Sequence, residues 1–168
     1  MIFTQLFTAL MLGGAAYTDV RYKKVYNIWL LFWFLAGICI CGIKFLPPVL
    51  LTSAALFIFH VLRMIGAGDI KLISLMFAYL GFKNGCIVAA AGMTLGAVYA
   101  FYKLYTSGIL FERLLYFWKY TINTLKNNSV TKYYDCKKDS PNLVMPLSPF
   151  LLAGFLMWRL YSLCSMSI

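Results

Sequence analysis

The stretch MIGAGDIKLISLMFAYL, residues 64–80, places a carboxylate, Asp69, directly after Gly-Ala-Gly and just ahead of an apolar run. The residues before this stretch, 48–62, are mostly apolar as well. Two apolar runs separated by a short glycine-rich break are typical of two membrane helices joined by a tight connection. The stretch therefore predicts helical spans on both sides of it, and it raises the question of why an acid stands at the start of the second.

The whole chain has the composition of a membrane protein. Of its 168 residues, 62% are hydrophobic and only 12% are charged, whereas an average soluble domain has about 25% charged residues. Nothing in the sequence alternates like a barrel strand, so a chain that crosses a bilayer has to satisfy its backbone polar groups within helices. We predict an all-α, polytopic membrane protein with a single domain over residues 1–168.

A helical span needs about 20 apolar residues, and this length predicts about six spans, of which the fourth is short. The first run has no Lys or Arg before it, so we expect a retained span and not a secretory signal. The pairs Gly81 with Gly85 and Gly92 with Gly96 are expected to help helices pack closely. The predicted spans are 2–18, 27–43, 48–65, 70–82, 85–105 and 144–164.

The net charge of +10 comes from basic residues scattered through the polar gaps between apolar runs. No separate basic domain is present, which argues against a nucleic-acid partner. Six spans place twelve basic residues on one side and three on the other, so the positive-inside rule predicts that the RYKK loop, the GAGD turn and the loop 106–143 lie in the cytoplasm. The twelve are Arg21, Lys23, Lys24, Arg63, Lys71, Lys103, Arg113, Lys119, Lys126, Lys132, Lys137 and Lys138, and the three are Lys44, Lys83 and Arg159.

The long loop 106–143 contains apolar residues at helical spacing between polar ones. This pattern predicts an amphipathic helix that lies on the cytoplasmic surface in contact with membrane lipids. The apolar positions are Leu110, Leu114, Phe117, Trp118, Ile122 and Leu125.

Two of the five acidic residues stand at the ends of predicted spans: Asp19 closes the first and Asp69 opens the fourth. Asp69 would serve as an ordinary helix cap, but an acid at a helix C-terminus, such as Asp19, faces the negative end of the helix dipole. Both lie at the predicted cytoplasmic edge on different helices, where they can face each other. Two neighbouring carboxyl groups share one proton, so one can act as general base and the other as general acid on a peptide carbonyl.

The other polar residues within the apolar runs allow simpler readings. His60 is predicted to form an interhelical hydrogen bond, with a proton-carrying role as the alternative. Lys71 is either a counter-ion for Asp69 or a topology charge. The five cysteines include no CxxC pair, so neither a metal site nor a cofactor is predicted.

The sequence resembles the GxGD membrane aspartic proteases, and most of all the type IV prepilin peptidases. Gly66, Gly68, Asp69 and Lys71 match the GxGDxK core of that family. The resemblance implies that Asp69 is one of two catalytic aspartates. It also suggests that the two glycines clear room for an extended peptide, because they have no Cβ atom.

Two further motifs extend the resemblance over nearly the whole chain. DVRYKKVYN, residues 19–27, resembles the first-aspartate motif through Asp19, Arg21 and Asn27, although Tyr stands where the family has Pro. MPLSPFLLAG, residues 145–154, resembles the opening of the last span, with Pro146 and Pro149 in place. The resemblance implies that Asp19 is the second catalytic aspartate.

The resemblance also implies a reaction and a substrate: cleavage of the basic leader of a prepilin-like or preflagellin-like protein at the cytoplasmic face, by an activated water. The chain has no zinc-binding CxxC insertion between its first two spans, so it is similar to the short, peptidase-only forms of tight-adherence (Flp) pili or of archaeal preflagella, and N-methyl transfer is not expected. The alternative hypothesis is a small transporter or pilus-assembly scaffold whose aspartates bind protons or a partner.

Overall fold

Six α-helices and one 3₁₀ turn can be described in full. The computed structural model describes residues 2–62, 65–106, 108, 115, 118, 122 and 145–166, and 91% of these are helical with no strand among them. The all-α prediction is confirmed for these residues. The elements are α1 (Ile2–Tyr22), α2 (Asn27–Cys41), the 3₁₀ turn (Gly42–Phe45), α3 (Leu46–Val61), α4 (Ala67–Leu80), α5 (Phe82–Thr106) and α6 (Ser148–Met166).

Each predicted span falls on one of these helices, with shifted ends. α1 runs four residues past the predicted end at 18, so Asp19 lies inside the helix. α1 ends where Lys23 adopts a left-handed backbone with φ of 52° and donates its N–H to the Asp19 carbonyl at 2.8 Å. α3 ends at Val61, before the predicted end at 65, and α6 begins at Ser148, later than the predicted 144.

Among the described residues, two helical stretches are long and apolar enough to cross a membrane, namely Asn27–Val61 with a mean hydropathy of 2.1 and Phe82–Thr106 with 1.6. The first of these comprises α2, the 3₁₀ turn and α3. Large apolar side chains point outward on most helices, including Ile28 at 81% exposure and Tyr161 at 75%. Such a surface is typical of helices that face lipid.

The break between α2 and α3 depends on Gly42, whose φ of 66° is a left-handed conformation that glycine adopts without strain. Phe45 at the end of the 3₁₀ turn is buried and packs against Gly37 of α2, where a side chain would collide with its ring. The Phe45 ring also lies 4.9 Å, centroid to centroid, from that of Tyr79 on α4. The turn therefore folds back onto α2 and joins α2 to the core.

α4 is the central helix, and it packs against α1, α2, α3 and α5. Eight of its 14 residues are buried, so it has no single apolar stripe. Tyr79 donates its hydroxyl hydrogen to the Trp33 carbonyl of α2 at 2.6 Å, which satisfies a buried polar group. This surrounded position holds Asp69, in the first turn of α4, at a fixed place among the other helices.

α5 and α6 cross in close contact at two glycines. A Cβ atom on Gly154 would lie 2.6 Å from the Gly92 backbone nitrogen and 2.7 Å from the Val88 carbonyl oxygen. Gly96 faces the ring of Phe150, so the predicted packing role of Gly92 and Gly96 is confirmed. Gly81 is different: nothing lies within 4 Å of its Cβ position, and its φ of 79° makes it the end of α4.

Gly154→Ala is therefore expected to lower the free energy of unfolding by about 1–3 kcal/mol, because the added methyl group meets rigid backbone atoms and forces the helices apart. Thermal unfolding in detergent micelles measures the change. The control is Gly13→Ala in α1, where nothing lies within 4 Å of the Cβ position and alanine favours the helix. Equal losses in both variants would argue against the close crossing.

Only Gly108, Leu115, Trp118 and Ile122 of the predicted 106–143 loop are described beyond Thr106. The last three are helical with exposed side chains. The other residues of the predicted amphipathic helix lie outside the described residues.

Candidate active site

Asp19 is buried near the end of α1, with 6% of its surface exposed. Its Oδ2 accepts a hydrogen bond from the backbone N–H of Ser148 at 3.1 Å. Ser148 is the first residue of α6, and α1 packs against α6. The unfavourable position of this acid on its own helix is thus offset by the N-terminus of another helix, whose free N–H groups and dipole favour a carboxylate.

The first turn of α6 has its N–H groups fully accounted for. The Ser148 N–H goes to Asp19, Pro149 has no N–H, and Phe150 and Leu151 both donate to the Leu147 carbonyl at 3.1 and 3.2 Å. Proline is well tolerated at this position because a helix start leaves its first N–H groups without partners inside the helix. Because the predicted motif residue Pro149 has no N–H, the N–H of Ser148 is the one in this turn that binds Asp19.

Asp69 lies in the first turn of α4, three residues after the N-cap Gly66. The pKa of Asp69 is raised from an ordinary 3.8 to about 6, chiefly by burial and also by the negative charge of Asp19, while a hydrogen bond with the Gly66 backbone opposes the rise. The carboxyl group is thus partly protonated near neutral pH. It combines a helix-capping position with a perturbed pKa, which is typical of a functional site.

The structure brings the two predicted catalytic residues together. α1 packs against α4, and the charge of Asp19 acts on the Asp69 carboxyl group. The end of α1 and the starts of α4 and α6 thus converge at one place, although Asp19 and Ser148 are 129 positions apart in the sequence. Two interacting carboxyl groups, one charged and one protonated, can supply a general base and a general acid at the same time.

The two motif glycines make different contacts. A Cβ atom on Gly66 would lie 3.1 Å from Asp69 Oδ2, so the absence of a side chain there leaves room for the carboxylate. A Cβ atom on Gly68 would lie 3.4 Å from Val25 Cβ, in the connection between α1 and α2. Gly66 has φ of −67°, which any residue can adopt. The contacts of both glycines are thus internal to the protein.

Lys71 donates a hydrogen bond from Nζ to Asn27 Oδ1 at 3.1 Å, so these two predicted motif residues lie together. Among the described residues Lys71 makes no ion pair with Asp69, and the counter-ion reading has no support from its contacts. Asn27 and Lys71 line an otherwise mostly apolar groove of about 490 Å³ between α2, α3 and α4. The hydrogen bond ties the start of α2 to the start of α4.

Two other predicted motif residues make contacts of their own. Arg21 is exposed, donates from Nη1 to the Tyr17 hydroxyl at 2.7 Å, and stands 5.7 Å from the centre of the Tyr22 ring. Pro146 is half-buried in the non-helical segment before α6 and lines a cavity of about 220 Å³ together with residues of α5 and with Phe150.

Within the part of the chain that the structure describes, the hydrogen bond of His60 is not the predicted interhelical one. Its Nδ1 lies 3.3 Å from the carbonyl oxygen of Ile65, in the connection from α3 to α4, because His60 is in the last turn of α3 and its ring reaches the following turn. This contact holds the segment that leads into Gly66. Within the described ranges, no group of three or more histidine, cysteine or acidic residues is placed to hold a metal ion.

Sequence reasoning missed Ser148, which contacts Asp19 directly and is fully buried. The signal was present: a Ser-Pro pair at the start of a predicted span marks a helix N-terminus with a free N–H. What the sequence could not show is which acid that N–H meets.

No family model matches the chain, and no curated protein or solved structure was found to be significantly similar to it.

Proposed function

We propose that the protein is a membrane aspartic endopeptidase that cleaves the basic leader of prepilin-like or preflagellin-like proteins. The observation that carries the proposal is the pairing of Asp19 and Asp69, in which the charge of one raises the pKa of the other. The motif resemblance at both aspartates and at the start of α6 supplies the substrate class. The proposal includes six membrane spans and an active site at the cytoplasmic face of the plasma membrane.

The proposed reaction needs only the two carboxyl groups and one water. The charged aspartate takes a proton from the water while the water oxygen attacks the peptide carbonyl carbon. The protonated aspartate gives its proton to the carbonyl oxygen. In the resulting diol, one hydroxyl returns its proton to the aspartate that had donated one. The C–N bond then breaks, and the other aspartate gives its acquired proton to the leaving amine. Both carboxyl groups end in their starting states.

Two features support the membrane setting. Exposed apolar side chains cover the outer faces of several helices, and two stretches are long and apolar enough to span a bilayer. The distribution of twelve basic residues against three supports a cytoplasmic position for the C-terminal end of α1 and for the start of α4. A substrate whose leader is basic and whose following segment is apolar would then reach the aspartates from the membrane surface.

The test is a cleavage assay with the purified protein in phospholipid vesicles. The substrate is a synthetic prepilin-like protein with a basic leader, a Gly and then an apolar helix, and mass spectrometry locates the cut. We expect a single cleavage after the Gly and the release of the leader. Proton flux or solute uptake by the vesicles without any cleavage would overturn the proposal and favour the transporter hypothesis.

A further inference from the structure

The side chain of Ser148 has an unusual environment for a polar group. The residue is 0% exposed, and its hydroxyl oxygen Oγ is buried without a hydrogen-bond partner among the described residues. Buried hydroxyl groups are nearly always paired, since an unpaired one loses its hydrogen bonds to water. Ser74, which is also fully buried, follows this rule and donates to the Ile70 carbonyl at 2.8 Å. The Ser148 hydroxyl thus calls for a physical explanation.

The neighbour of this hydroxyl is the Asp19 carboxylate. The Ser148 N–H already donates to Asp19 Oδ2 at 3.1 Å, and covalent geometry keeps the nitrogen and Oγ of one serine within about 4 Å of each other. Oγ is therefore within about 7 Å of the carboxylate, and rotation about χ1 moves it between staggered positions. A carboxylate has about four acceptor positions, of which Ser148 N–H occupies one.

We propose that Ser148 holds Asp19 in its charged form, through its backbone N–H and its hydroxyl, and thereby makes Asp19 the general base and Asp69 the general acid of the pair. This inference rests on the proposed peptidase function. Ser148 is a positioning residue in it: it acts on Asp19 and does not touch the reacting atoms.

The two aspartates differ in the donors around them. Asp19 faces the N-terminus of α6, a helix of 19 residues, and accepts the N–H of Ser148, whose unpaired hydroxyl lies nearby. Asp69 has the Gly66 backbone of its own helix, and burial together with the charge of Asp19 favours its protonated form. When one proton is shared by the pair, these surroundings place it on Asp69. Asp19 is then free to accept a proton from water.

Other charged groups near Asp19 leave this difference in place. α4 contributes Asp69 and Lys71, and Lys71 is hydrogen-bonded to Asn27. The first turns of α2 and α6 contain no acidic or basic residue. Arg21 on α1 is directed to Tyr17, and Lys23 ends that helix with its N–H on the Asp19 carbonyl. Ser148 is therefore the residue whose side chain can change the charge of Asp19 without changing the net charge of the site.

Ser148→Ala removes the hydroxyl and keeps the N–H. Because the charged form of Asp19 then loses a donor, the acidic limb of the pH profile of kcat/KM is expected to move upward by about one pH unit, which is a tenfold loss of rate on that limb. A residue that only fills space would lower kcat/KM by one factor at every pH. The matched control is Ser162→Ala in the same helix, where the hydroxyl donates to the Arg159 carbonyl at 3.1 Å; its limb is expected to stay in place.

A second measurement separates this inference from the proposed function. In the Asp69→Asn protein, Asp19 titrates without its acidic neighbour, so ¹³C NMR of its carboxyl carbon follows a single group. Adding Ser148→Ala is expected to move that titration midpoint upward by about one pH unit. An unmoved midpoint overturns the role of Ser148 whether or not the protein cleaves any substrate. A shifted midpoint, together with a wild-type protein that cleaves no substrate, would uphold the role of Ser148 and reject the peptidase.

Discussion

Asp19→Asn and Asp69→Asn are each expected to lower kcat/KM for cleavage of the prepilin-like substrate by about 10³-fold or more. Positioned general acids and bases contribute about 10²–10⁴-fold each, and asparagine can neither take a proton from water nor give one to the carbonyl oxygen. The measurement is the rate of leader release from the vesicle-reconstituted protein. If a variant keeps more than a tenth of the wild-type rate, the substituted aspartate is not a catalytic residue.

The double variant sharpens this test. Residues that act as one unit are strongly non-additive, because losing either member stops the same step. The protein with both substitutions is therefore expected to be as slow as either single variant, within about threefold. The control is Asp139→Asn, an acid that the sequence assigns to the polar 106–143 loop, and its rate is expected to be that of the wild type. Rate losses that multiply would indicate two independent roles.

Asp69→Asn is expected to stabilise the folded protein at neutral pH, although it lowers the activity. Because the pKa of Asp69 is about 6 in the folded protein and 3.8 in the unfolded chain, folding favours the protonated carboxyl group. This contribution is fully present below pH 3.8 and is lost as the pH rises through 6. Asp69→Asn should therefore raise the free energy of unfolding at pH 7.5 by about 1–3 kcal/mol and leave it nearly unchanged at pH 4.

Thermal unfolding in detergent at the two pH values measures this difference. Asp135→Asn, another acid of the 106–143 loop, serves as the control and is expected to change neither value. If Asp69→Asn is more stable than the wild type, unfolding cannot explain its loss of cleavage. A destabilised Asp69→Asn protein at pH 7.5 would mean that the carboxylate contributes to the fold through contacts in its charged form.

The helices, and the positions of Asp19 and Asp69 near helix ends, could be predicted because both follow from local patterns. Apolar runs of span length predict helices, and a glycine-rich break predicts that Asp69 begins a new one. The sequence does not show that the short fourth helix is the central one, with four other helices packed against it.

Contacts between distant segments could not be predicted, and they decide the details of the site. The N–H of Ser148 meets an acid 129 residues away, and Lys71 meets Asn27 and not the neighbouring Asp69. His60 illustrates the same point on a smaller scale, since the ring turns to a carbonyl five residues on and not to another helix. Residue types and spacing limit which groups can pair, while the packing of the helices selects among them.

The length of α4 has a consequence for the depth of Asp69 in the membrane. Its 14 residues rise about 21 Å, whereas the hydrocarbon core of a bilayer is about 30 Å thick. In the proposed membrane setting, the central helix therefore ends inside the thickness of the bilayer. Because other helices pack around α4, they and not a thinned bilayer make up the difference. Water would then have to reach the aspartates below the level of the lipid headgroups, in a recess enclosed by the surrounding helices.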